Sequence, residues 1–417
     1  MCKVPNQGLG LSVALSVTIA VGACSPAPAA PPTAPPASGP AAGVAKPKFD
    51  ALFAEAKKSN GKVRYSAFGL QPEVIRGKEA AFEKQFGVKI TIEQEPGHVS
   101  RDIPPKVLQG AKTGKGIVDM MEAGSAANHI PQLDEGAYRI PPWEALTEQW
   151  PAIKDMRQVT TEMTLKDGKK LNDYCMVGTN SLWSLVYNTN NVKADEVKNI
   201  TYDDLLTDKW KGRVILEAQA ASEKQWPLVP GWPIERVKAY RHNSAVNGAK
   251  IVAGGFPAQL AALTQGEGDI TAVSWENAYA SIKEGAPLQF AFPEFVASST
   301  TITCVPKFTP NDPSLGAIFW AWDNFEGQYL EAELGSGGAR PLYPPEADKF
   351  PLAKILAEHK YDIKDKARVA LARTAQETVD IAKFRKAAID GSTEGKASGQ
   401  KVAYPWACEK NHPACVR

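Results

Sequence analysis

Apolar residues along the first third of the chain keep switching between two spacings. In KVRYSAF, Val63, Tyr65 and Ala67 alternate with Arg64 and Ser66, which predicts a strand over 62–68. Pro72 then opens a stretch that carries Ile75, Phe82 and Phe86 to one side, a helix ended by Gly87. Alternation returns in VKITIEQE through Val88, Ile90 and Ile92, a helix follows Gly97 through Lys106 and Leu108, and IVDMMEAG is a third strand ending at Gly124. This β-α-β-α-β order predicts a parallel sheet with right-handed crossovers.

A second set of elements follows a polar, irregular stretch. WSLVYNTN, GRVILEA, ITAVSW, LQFAF and TTITCV are strand candidates. YDDLLTDKW reads as a short helix capped by Thr201, and FPAQLAALTQGEGD as a helix running out at Gly266. PSLGAIFWAWDNFEGQYLEAEL is a long apolar-striped helix with Pro313 in its first turn. Nothing repeats at a solenoid period. The chain beyond residue 48 is about 370 residues long, too long for one simple core, so two lobes are expected.

The front end is a different kind of sequence. Lys3 precedes an uncharged run from Gly8 to Ala23, too short to span a bilayer comfortably, which fits a secretory signal over residues 1–23. Val21-Gly22-Ala23-Cys24 resembles the bacterial lipobox, which implies a lipid on Cys24 and a protein anchored to a membrane from the periplasm. Cleavage after Ala27-Pro28-Ala29 is the alternative, and would release a soluble form. Ser25 is not the aspartate typical of inner-membrane retention, so an outer-membrane destination stays open. Residues 24–48 are rich in proline and alanine, the composition of an extended polyproline II tether.

Charge narrows the partners. The 48 basic residues balance 46 acidic ones, and no basic run is interleaved with aromatics, so nucleic acid is not expected. GSGGAR is not a phosphate loop, and neither a nucleophile elbow nor an H-E-x-x-H pair is present, so catalysis and cofactors are not expected. Of six cysteines, Cys2 leaves with the signal and Cys24 takes the lipid. Cys175, Cys304, Cys408 and Cys415 remain, and in an oxidising compartment they suggest two disulfides. Three pairings are possible; the reading adopted joins Cys408 to Cys415 and Cys175 to Cys304. A zinc site is disfavoured, because there is no CxxC and His412 has no companions at zinc spacing.

Several phrases in order carry a resemblance: DALFAEAKKSNGKVRYSAF, EAAFEKQFGVKITIEQE, GHVSRD, YNTNNV, DDLLTDKWKGRV, LTQGEGDITAVSWENAYASIKEGAP and EGQ. From about Phe49 to Tyr343 the chain resembles the extracellular solute-binding proteins of ABC importers, in the group that includes ferric-iron binding proteins. The resemblance implies a type II-like periplasmic-binding-protein fold, α/β, with two lobes of mostly parallel sheet flanked by helices and joined by crossing strands. The boundaries expected are 49–180 for the first part of lobe 1 and 181–300 for lobe 2. Residues 301–390 would form the return to lobe 1 and the C-terminal helices, and 391–417 a tail with a cysteine-closed loop.

Ligands in such sheets sit outside the carboxyl ends of strands, at helix N-termini. In the first lobe that selects Tyr65 and Ser66, the Gly97–Arg101 turn with Ser100 and Arg101, and Ser125. Arg101 can grip a carboxylate or phosphate bidentately, which makes an organic anion the expected solute; the alternatives are that Ser100 only caps a helix and Arg101 is a solvated charge. On the opposite wall the candidates are Ser222, Trp226, Trp275, Asn277 and Tyr279. Ferric-binding relatives carry adjacent tyrosines before a KEGAP-like turn; here Asn277-Ala278 stands at that place and Tyr279 is alone, which disfavours iron. Core packing is the competing role for Trp275. STEGKASGQK reads as a flexible link and the cysteine loop as a stabilising cap. The function expected is capture of a small solute by a monomer and delivery to an inner-membrane ABC permease, without catalysis. Ligand sensing for a receptor or kinase, and binding of ferric iron or its chelate, are the alternatives.

Overall fold

The alternation in KVRYS becomes strand β1 (Lys62–Ser66), flanked in parallel by β2 (Thr91–Gln94) and β3 (Met120–Ala123). The computed structural model describes residues 46–67, 72–97, 99, 102–124, 129–158, 168–328, 330, 351–362, 365–410 and 412–416. The first crossover is the helix Pro72–Phe86, which buries Val74, Lys78 and Phe82, four residues apart on one face. Gly87 closes it at φ 65°, a left-handed conformation that glycine adopts without a Cβ clash. The next helix, Ile103–Thr113, has two prolines in its first turn, where their missing N–H groups cost nothing.

The second set of strands is β5 (Val214–Glu217), β6 (Lys250–Val252) and β7 (Ile270–Ser274), with β5 parallel to both of its neighbours. Between the two parallel sets run two long strands, β4 (Cys175–Asn188) and β9 (Val296–Cys304), antiparallel to each other. β9 also pairs antiparallel with β3, and β4 with β7. β8 (Leu288–Phe290) lies on β4 and β10 (Val369–Ala370) on β9. Among the described residues, all ten strands belong to one hydrogen-bonded sheet, in which β2-β1-β3-β9-β4-β7-β5-β6 is the main path.

The core divides where β4 and β9 cross. One apolar cluster collects residues from Phe49 to Val177 together with Ile302 to Phe325. Two others collect Leu182 to Ala297 together with residues from Leu352 to Ala414. The chain therefore folds as two α/β lobes joined by crossing strands. Residues Ile302–Phe325 and Leu330 pack with the first core, and the described residues from Leu352 to Ala414 pack with the other two clusters. STEGKASGQK is not a flexible link, because the helix Ala375–Ser398 continues through most of it. Gly391 and Gly395 are there for close packing, since a Cβ on them would fall 2.2 Å from Lys238 O and 2.4 Å from His242 O of the helix Ile234–Val246. The helix Ala375–Ser398 starts with a reciprocal cap between Thr374 and Glu377.

Cys175 pairs directly with Cys304 across the two crossing strands, and the two form a disulfide with Cα atoms 4.4 Å apart, the spacing of a non-hydrogen-bonded antiparallel pair. Cys408–Cys415 closes the tail loop.

Candidate functional site

Strand directions fix where a cleft lies. β9 enters the first lobe at Ile302, opposite Ala123, the last residue of β3. β4 enters the second lobe beside Ser274, the last residue of β7, which pairs with Trp183. The carboxyl ends of both parallel sets therefore face each other across the midpoints of the crossing strands, at Gly178–Ser181 and Ser298–Thr301. This is where open α/β sheets place ligands. The midpoints are small and polar, GTNS and SSTT. Ser299 Oγ donates to the carbonyl of Gly124 at 3.2 Å, tying the floor to the end of β3. The pairing slips by one residue between Val177 and Asn180, a bulge at the crossing. Gly178 allows it: a Cβ there would meet Thr303 Cγ2 at 2.5 Å.

Of the residues expected on the first lobe, Tyr65 does not face this cleft. Its hydroxyl donates to Asp323 Oδ2 at 2.5 Å, and Asp323 also holds the fully buried Lys78 ammonium at 2.7 Å. Strand alternation sends Ser66 to the opposite face, at the strand's carboxyl end, where its buried Oγ has no hydrogen-bond partner. Ser100, Arg101 and Ser125 lie outside the described residues, as does Cys24.

On the second lobe most of the expected residues are structural. Trp226 is sealed in an aromatic cluster with Tyr202 (centroids 4.0 Å apart), Trp232, Tyr240 and Phe295. Its Nε1 donates to Ser222 Oγ at 3.2 Å, so both belong to the core and not to a ligand wall. Trp275 is fully buried against Phe290 and Phe292. Asn277 is exposed in the first turn of the helix Trp275–Lys283, but its Nδ2 donates to Ser274 Oγ at 2.8 Å as part of the cap. Tyr279, two residues further along, is half-buried. Glu276 cannot join it as an iron ligand in this arrangement, because its carboxyl accepts from Leu182 N at 2.7 Å and contacts Ser274 Oγ at 2.8 Å. Burial pushes that carboxyl up to about 7.

The irregular stretch after β5 places a different residue at the strand ends. Lys224 is half-buried, with its ammonium 5.2 Å from the Trp183 ring centroid and no salt bridge or hydrogen bond among the described residues. Burial and the nearby Arg385 guanidinium draw it down to about 8, against the opposing pull of Glu217. Trp183 packs on Phe256, centroids 5.9 Å apart, and its buried Nε1 has no acceptor among the described residues. The register of QAASEKQWPLVPGW, which sets Lys224 outward and Trp226 inward, carries no regular period; only the tertiary fold reveals it. A cavity of about 260 Å³ lies elsewhere on the second lobe, between Trp232, Arg236, Glu294 and the tail residues Trp406 and Glu409. His129 reaches the hinge disulfide, with Nδ1 3.2 Å from Cys304 Sγ, while Nε2 meets Ile302 O and Nδ1 meets Tyr138 Oη.

No protein-family model and no curated protein matches the sequence. Solved structures do match in shape. The PBP AgtB of A. tumefaciens R10, in complex with agropinic acid, has a TM-score of 0.53 at 15% identity, covering 80% of this chain and 99% of that one. The Trichodesmium protein IdiA (FutA), with iron and citrate, has a TM-score of 0.54 at 16% identity, covering 80% and 99%. The periplasmic binding protein AfuA of Actinobacillus pleuropneumoniae, with fructose-6-phosphate, has 0.51 at 13%, covering 82% and 100%. The class these similarities define is a fold, that of the two-lobed periplasmic binding proteins, and the present chain has it over nearly the whole length of each.

Proposed function

We propose that this protein is the solute-binding component of an ABC transporter, which captures one small organic anion between its lobes and hands it to an inner-membrane permease. The observation that carries the reading is the confrontation of two sets of strand ends across polar strand midpoints, Gly178–Ser181 and Ser298–Thr301. Fold likeness to proteins crystallised with agropinic acid, iron with citrate, and fructose-6-phosphate supports a small acidic solute. Closure about the crossing strands then reports occupancy, since a ligand shifts the open–closed balance in proportion to its preference for the closed form. Binding and release need no covalent step, so the protein acts as a carrier and not an enzyme. Its place is the periplasm, as a monomer tethered by lipid on Cys24 through residues 24–48. No helix among the described residues is long and apolar enough to cross a membrane. Iron alone is disfavoured by the engagement of Glu276 with Leu182 N and Ser274.

Native mass spectrometry of freshly purified protein tests this. The expected result is one small organic acid bound per chain and released on denaturation. A bare ferric ion, or chemical turnover of the released molecule, contradicts it.

A further inference from the structure

The polar groups left without partners gather on one side of the cleft. Lys224 follows β5 in the turn Glu223–Leu228, and its ammonium has no carboxylate beside it. Arg385, exposed on the helix Ala375–Ser398, lies close enough to repel it. The carboxylate that attracts Lys224, Glu217, is already committed to the backbone N–H of Ala221 at 3.2 Å. Trp183 adds a buried indole N–H with no acceptor among the described residues. Phe256, packed on Trp183, sits in the first turn of the ten-residue helix Gly255–Thr264. That helix begins at Gly254, in the left-handed region at φ 106°, with no side-chain cap on its N–H groups. A cation, an indole donor and an uncapped helix N-terminus thus lie around Trp183 and Phe256, beside the carboxyl ends of β5, β6 and β7. A half-buried cation without a counterion is unfavourable, and a bound oxyanion satisfies both it and the indole donor.

We propose, building on the reading of the cleft as a solute site, that the second lobe holds the solute's acidic group, with Lys224 as its ion-pair partner and Trp183 Nε1 as a hydrogen-bond donor. The chemistry recognised is a carboxylate or phosphate whose organic body rests against Phe256. This is a different assignment from the first-lobe turn around Arg101, and the two make opposite predictions.

The test uses the full mature chain with citrate and inorganic phosphate as probes and glycerol as the uncharged control, read by tryptophan fluorescence and melting temperature. Citrate or phosphate is expected to bind, glycerol to give no response, and Lys224→Gln to weaken anion binding about tenfold or more while Lys224→Arg keeps it. Lys224→Gln is also expected to raise the melting temperature of the solute-free protein, because it removes an unpaired, poorly solvated charge; a lysine with only a packing role would lower it. Arg101→Gln is expected to change anion binding less than Lys224→Gln. The proposal is overturned if neither anion binds at millimolar concentration, or if Arg101→Gln abolishes binding that Lys224→Gln spares. An uncharged molecule co-purifying in the cleft also overturns it, yet leaves the solute-binding reading standing. Absence of any solute, with no closure on adding one, removes that reading as well.

Discussion

Burial makes a carboxyl hold its proton longer than it would in water, and Glu276 and Glu294 are both pushed up to about 7, chiefly by burial, with Arg236 pulling Glu294 the other way. Their folded-state values lie above the ordinary 4.5, so the stability they contribute is fully present below about pH 4.5 and is lost as pH rises through about 7. Buried His129 works the other way: lowered from 6.5 to about 4, it contributes stability above pH 6.5 that is lost as pH falls through about 4. Glu276→Gln isolates the first effect, since an amide keeps the bond from Leu182 N and needs no proton. Denaturant titration should find it about 2 kcal/mol more stable than the wild type at pH 8 and unchanged at pH 4; equal effects at both would refute the assignment. A second residue-scale prediction concerns Asp323, whose loss removes the carboxylate that the Lys78 ammonium meets at 2.7 Å with zero exposure. Asp323→Asn should cost about 3–5 kcal/mol by the same measurement, and an effect below 1 kcal/mol would show that Lys78 is neutral or re-paired. Residues of this kind were only partly legible. Tyr65 and Ser66 are neighbours on one strand and point to opposite faces, and the group that engages the Tyr65 hydroxyl, Asp323, lies 258 positions away in sequence. Lys224 carried no sequence signal, because its direction is set by aromatic packing around Trp226.

At the scale of elements, the two crossing strands are the hydrogen-bonded and disulfide-linked connection between the lobes. Their disulfide spans 129 residues of sequence, whereas Cys408–Cys415 spans 7. Loop-closure entropy makes the long link worth roughly 2–3 kcal/mol more than the short one. Replacing Cys175 and Cys304 together by alanine should therefore lower unfolding free energy by that much more than replacing Cys408 and Cys415, and equal losses would contradict the entropic account. Gly178 gives a sharper prediction: Gly178→Val drives a side chain into Thr303 and should cost about 1–3 kcal/mol, with loss of closure where closure is measured. A stable, normally closing Gly178→Val would show that the bulge is not constrained. The strands and helices themselves were largely legible, because a period of two or of 3.6 is written in the chain itself. The crossing role of β4 was not, since VGTNSL interrupts the alternation where the strand bends between lobes. The helix through STEGKAS was missed for a related reason, as its glycines serve contact with a helix remote in sequence.

For the whole molecule, the order of elements was enough to expect two α/β lobes, while the lobe that receives the C-terminal helices was not, because about 60 residues after Pro351 could cover either apolar face. They cover the second, with the helix Ala375–Ser398 packed beside the turn that carries Lys224. The lobes and the polar crossing together make one mechanical claim: a solute bridges two bodies that otherwise stand apart. Small-angle X-ray scattering on the same preparation before and after removal of its bound solute tests it most directly. The radius of gyration should increase when the solute is stripped and return when it is restored. An unchanged scattering profile across those states, with solute binding verified in parallel, would contradict the claim.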